Sequence, residues 1–159
     1  MFNELWAKVS AREKLVVYGA LIALVGVVVG LILATKSYGG GSVGGYTIPG
    51  VSVNYFTAEN AGLFALLALV GGVATLGIIY AHVAQMNVQW PAPYAQVLMV
   101  VAVATAVCAI LIVLMQLIRA GGFGDGAPIF MFVADILAVA GGCFMAYVTY
   151  MDWTAAKGA

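Results

Sequence analysis

The sequence predicts an all-α integral membrane protein, a four-transmembrane-helix bundle, and three observations predict it. Charged residues are 8% and hydrophobic residues 65% of the 159 positions, with a mean hydropathy of +1.11. A soluble domain carries about 25% charged residues, so too few charges remain here to cover a water-facing surface. Four apolar stretches each run roughly 20 residues or more, enough at about 1.5 Å per residue to cross a hydrocarbon core of about 30 Å. None of them alternates strictly between apolar and polar residues, which disfavours a transmembrane barrel. The same composition excludes intrinsic disorder. A net charge of zero leaves no basic footprint for nucleic acid, so none is expected as a partner.

The chain begins with a short apolar stripe. Phe2, Leu5, Trp6 and Val9 fall on one helical face, with Asn3, Glu4 and Lys8 off it. This pattern suits a short interfacial helix lying on the cytoplasmic surface; the alternative is a frayed polar tail. Ser10-Ala11-Arg12-Glu13 has the spacing of a capping box and starts the first span, 10–35. That apolar run is longer than the 7–15 residues or so of a signal-peptide core, so it reads as a retained membrane helix.

The first connection, 36–60, opens with the glycine-rich SYGGGSVGGY, a flexible composition. Residues 47–57 are richer in β-branched and aromatic side chains, and Pro49-Gly50 is a turn signal. A small β-hairpin turning there and an irregular loop are both compatible with it. Thr57 or Asn60 would cap the second span, 61–83, with Glu59 near its start. Pro91 and Pro93 interrupt the second connection, 84–94, and the third span is 95–118. A glycine-rich turn, 119–127, leads to the fourth span, 128–151, with Pro128 in its first turn. Residues 1–159 thus form one membrane domain with no room for another.

Orientation follows from the basic residues. Four spans put both termini and 84–94 on one side, with Lys8, Arg12, Lys14 and Lys157; the other side holds Lys36 and Arg119. The excess places both termini in the cytoplasm. Trp6, Trp90, Tyr94 and Trp153 would anchor that interface, while Tyr38, Phe56, Phe123 and Phe130 would serve the outer one. An Ala/Gly/Val-rich composition without an N-x-S/T sequon points to a prokaryotic plasma membrane.

Small residues recur at four-residue spacing: Gly26, Gly30 and Ala34 in the first span, and Ala134, Ala138, Gly142 and Ala146 in the last. Such rows let helix backbones approach closely in lipid. They serve either to pack this bundle or to face another chain. Asp135 is the one ionisable residue deep inside a span, roughly 10 Å below the outer surface at helical rise. Gln116, Arg119 and Lys36 are its candidate partners. Either it is a protonatable site for ion movement or it makes a structural hydrogen bond. His82, the single histidine, cannot supply two haem ligands, and no thiol or acidic cluster surrounds it in sequence. Cys108 and Cys143 differ in depth by about 8 Å, too far for a disulfide, and read as small buried hydrophobes. Gly40-Gly41-Ser42-Val43-Gly44 has G-x-S-x-G spacing but follows a membrane span on the non-cytoplasmic side, and no zinc-protease, P-loop or dinucleotide motif is present.

The topology resembles the claudin and tetraspan-like class, with four helices, termini inside and a longer first outer loop. That class carries Trp-Gly-Leu-Trp and a cysteine pair in this loop. Residues 36–60 hold neither tryptophan nor cysteine, so the resemblance is architectural and transfers no functional residue. The expectation is a non-enzymatic membrane protein without cofactor or metal, compatible with a bound lipid. It would act by helix packing and outer-loop contacts, as a self-assembling homo-oligomer or an accessory subunit. The alternative is a proton or ion channel, or a small transporter, using Asp135.

Overall fold

The computed structural model describes residues 2–43, 45–57, 61–119 and 129–157. The calls at Glu59, Asn60, Phe123 and Pro128, and the turn that follows Arg119, lie outside them. The described chain forms a short helix α1 (Phe2–Lys8) and a long helix α2 (Ala11–Leu33). Four strands follow, β1 (Thr35–Tyr38), β2 (Gly41–Val43), β3 (Tyr46–Ile48) and β4 (Val51–Asn54). Three further long helices complete it: α3 (Ala61–Val83), α4 (Tyr94–Arg119) and α5 (Ile129–Lys157).

α2, α3, α4 and α5 are each long and apolar enough to cross a membrane, so the chain is a multi-pass membrane protein by length and composition. Their outward faces carry Leu21, Val25, Ile32, Leu66, Val73 and Ile136, all exposed. An apolar outer surface is what lipid solvates and water does not.

The helices pack in a ring, α2 against α5, α5 against α4, α4 against α3 and α3 against α2. The closest partners are the first and last, and glycine explains why. A Cβ on Gly26 would lie 2.8 Å from the Ala134 carbonyl oxygen and 2.9 Å from the Ala138 Cα. One on Gly141 would lie 2.7 Å from the Gly19 carbonyl oxygen and 2.9 Å from the Ala23 Cα. With no side chain in the way, the two backbones meet directly. Gly142, about 100° further round the helix, turns instead toward Ala106 of α4, whose Cα a Cβ would meet at 3.1 Å.

Each helix end has a local cause. At the start of α2 the Ser10 hydroxyl accepts from the Glu13 amide at 3.2 Å and Glu13 Oε2 accepts from the Ser10 amide at 2.9 Å, a closed capping box. Pro93 precedes α4, and its carbonyl accepts from the Gln96 and Val97 amides at 2.9 and 3.1 Å. α3 ends in a Schellman turn: the Met86 amide donates to the Ala81 carbonyl at 3.0 Å and the Gln85 amide to that of His82 at 3.1 Å. Gln85 takes the left-handed position, φ 53°, where glycine is usual.

Three expectations are corrected. The last helix does not stop at 151 but runs on to Lys157, because Asp152 to Lys157 includes no proline or glycine and only ends the apolar character. Cys143 is exposed on the outside of the bundle and Cys108 is half-buried; both are free thiols. Strand pairing also differs: β3 and β4 do not pair across Pro49-Gly50. β4 pairs antiparallel with β1, Tyr38 opposite Val51, and β3 with β2, Val43 opposite Tyr46. The reversal therefore falls between Val43 and Tyr46, where Gly45 has φ +86°, a conformation glycine adopts without steric cost. Gly39 and Gly40, also at positive φ, lie across from Pro49 and Gly50 and separate the two ladders.

Candidate functional site

Three places in the molecule bring polar or conformationally special residues together. The first is inside the bundle. Asp135 on α5 and Gln116 on α4 are 6% and 4% exposed. Oriented with its amide nitrogen toward the carboxylate, Gln116 donates to Asp135 Oδ2 at 2.7 Å and Oδ1 at 3.1 Å. The pair joins two adjacent helices where a lone polar group would be costly. Of the partners considered from sequence, Gln116 is the one the structure joins to Asp135; the Arg119 side chain lies outside what is described.

The second place is the ribbon end, where the strands return to the bundle. Asn54 donates from Nδ2 to the Leu31 carbonyl at 2.7 Å and the Gly30 carbonyl at 3.4 Å. Its Oδ1 accepts from the Phe56 amide at 2.8 Å and the Thr57 amide at 3.2 Å. One side chain thus caps the Leu31 carbonyl at the end of α2, adds a second donor to the Gly30 carbonyl that the Ala34 amide already reaches, and folds the next turn. That turn carries Phe56 into the core among Val27, Ala34, Ala65, Ile112, Met131 and Ala134, with its ring on Gly30. Phe56 is therefore no interface anchor. Thr57 sits in the Asn54 turn, its hydroxyl donating to the Asn54 carbonyl at 3.4 Å.

The third place is the opposite, terminal end. Glu13 Oε1 accepts from the Tyr94 hydroxyl at 2.8 Å and stands 4.0 Å from His82 Nε2. His82 stacks on Tyr94 with ring centroids 3.8 Å apart and planes 13° from parallel. One carboxylate, 13% exposed, thereby connects α2, α3 and α4. Beside it Arg12 Nη1 donates to Asp152 Oδ1 at 2.7 Å and joins α2 to α5.

The predicted residues distribute among these places. Gly26, Ala134, Ala138 and Gly142 lie in helix contacts inside the bundle, Gly30 and Ala34 border Phe56, and Ala146 is half-buried. Trp6, half-buried, meets Tyr18 edge-on at 6.1 Å and lies under the Lys14 ammonium at 5.5 Å. The Lys157 ammonium lies 3.9 Å over the Trp153 ring, and Trp90 is half-buried between α3 and α4. Asn54 and Glu13 take part in these places without having been singled out as site residues, Phe56 and His82 take part in roles other than those expected of them, and Gly19 and Gly141 join the α2–α5 contact unannounced. Asn54-Tyr55-Phe56-Thr57 shortly before a span, and a capping-box glutamate with one oxygen to spare, are the signals that could have pointed to the first three. Among the described residues no group of three metal-ligating side chains comes together. The chain matches no family model, no curated protein and no solved structure.

Proposed function

We propose that the chain is a non-enzymatic membrane protein that acts through contacts of its β ribbon with other chains, as a self-assembling structural protein or an accessory subunit. The observation that carries this reading is the exposed ribbon itself. Strands β1 to β4 pair only with one another among the described residues, Tyr46 is 81% exposed and Val51 64%. Residues 35–54 hold one charge, Lys36, and one proline, Pro49, the two kinds of residue that usually blunt a strand edge. An open edge of this kind adds a strand from a partner readily. The small-residue rows, by contrast, face inward and leave the ribbon as the distinctive outer surface.

In this reading the terminal end lies in the cytoplasm, supported by the four basic residues there against two, and the ribbon faces outward from a prokaryotic plasma membrane. The Asp135–Gln116 hydrogen bond supports a structural part for the buried carboxylate. The test is the mass of the purified particle in mild detergent. The native chain is expected as a multi-copy particle or with larger subunits, and Tyr46→Lys with Val51→Lys should release single chains. A native monomer that conducts protons in liposomes, with conduction lost in Asp135→Asn, would replace this reading with the ion-channel one.

A further inference from the structure

At the terminal end an open cleft of about 380 Å³ is lined by Lys8, Glu13, His82, Val83 and Gln85. Its walls come from α1, the first turn of α2 and the last turn of α3. Lys8 has no ion-pair partner among the described residues. His82 presents a half-exposed imidazole whose Nε2 lies 4.0 Å from Glu13. The cleft thus offers an ammonium and an imidazole beside a carboxylate, the charge pattern complementary to a zwitterion. Its volume falls in the range of small-ligand sites, about 300–1,000 Å³. It opens at the ends of two apolar spans, α2 and α3, the depth at which phospholipid headgroups sit.

Gln85 adds an independent mark. It closes the Schellman turn in the left-handed region, φ 53°, at the cleft wall. Glycine would adopt this conformation at lower cost, and the side chain that stands there instead carries an amide. An amide in that wall can donate to a phosphate oxygen.

We propose that the cleft binds the headgroup of an aminophospholipid, with the phosphate held by Lys8, His82 and Gln85 and the primary ammonium by Glu13. The assignment rests on the four helices spanning a membrane and is independent of what the ribbon contacts. The experiment uses the full chain in mild detergent with phosphatidylethanolamine, phosphatidylcholine and phosphatidylglycerol of identical acyl chains, read by native mass spectrometry and thermal unfolding. The native chain should retain one phosphatidylethanolamine at least about fivefold over phosphatidylcholine, whose trimethylated ammonium cannot donate hydrogen bonds to Glu13. Lys8→Gln should cut that retention about fivefold with an unchanged unfolding midpoint. Gln85→Gly should cut it as well while raising the midpoint, a pairing of opposite effects that a purely structural residue would not give. Equal retention of the three lipids, or retention unchanged in both variants, overturns the assignment. So does displacement of the lipid by millimolar inorganic phosphate, which would mean the cleft reads a phosphate alone. Release of the chain from membranes by alkaline carbonate would instead defeat the membrane reading on which the assignment stands.

Discussion

At the ribbon end of the bundle an aromatic ring, Phe56, rests on Gly30 and fills the space between helices. At the terminal end a carboxylate, Glu13, reaches Tyr94 and His82 while Arg12 meets Asp152. The ribbon end buries a whole aromatic ring beneath the Asn54 hydrogen bonds, whereas the terminal end sets more exposed charged contacts over a cluster of smaller side chains that includes Val16, Ile79 and Leu98. Burial inside a membrane protein relies on shape, since lipid offers apolar chains nearly as good as those of the core. Polar bonds at a helix end compete with water and headgroups, so each contributes little and responds to salt. The two ends should therefore fail in different ways.

Phe56→Ala is the largest expected break. It empties a fully buried site and should cost about 3–5 kcal/mol, read as a drop in unfolding midpoint in mild detergent that added salt does not change. Gly26→Leu comes next, at about 2–3 kcal/mol, because its side chain would collide with the α5 backbone at Ala134 and Ala138. Its effect should also reach the terminal end, since α2 and α5 run the whole length together. Glu13→Ala removes a cap and the Tyr94 partner, for about 1–2 kcal/mol. The smallest is Arg12→Ala, below about 1 kcal/mol for an exposed ion pair, vanishing in high salt. If Phe56→Ala proved as mild as Arg12→Ala, or as salt-sensitive, the contrast between the ends would be lost.

The sequence made the same contrast partly legible. Long apolar runs carry their own signal, because length and hydropathy are local properties. The capping box at Ser10 and Glu13 was legible for the same reason. The β reversal was not: Pro49-Gly50 is a strong local turn signal, yet equal strand lengths about Gly45 decide the register. Which of Gly141 and Gly142 faces α2 depends on a helix rotation of about 100° per residue, invisible without the neighbour. The Glu13, His82 and Tyr94 site assembles from three spans, and no spacing rule links residues that far apart. Loss of hydropathy at Asp152 marked where apolar character ends, while the helix itself continues to Lys157.

The Asn54 clasp has a consequence for the order in which the chain is made. Asn54 is 23 residues from the Leu31 carbonyl it caps, whereas 81 residues separate Tyr94 from Glu13 and 140 separate Asp152 from Arg12. Closing the shorter loop costs roughly 1.5 kcal/mol less entropy than the longest one. The clasp can form when only the first third of the protein has left the ribosome, so the earliest-born helix is fastened to the ribbon before its last partner exists. The order in which contacts can close then runs from the ribbon end to the terminal end, where Arg12 and Glu13 wait for Asp152 and Tyr94.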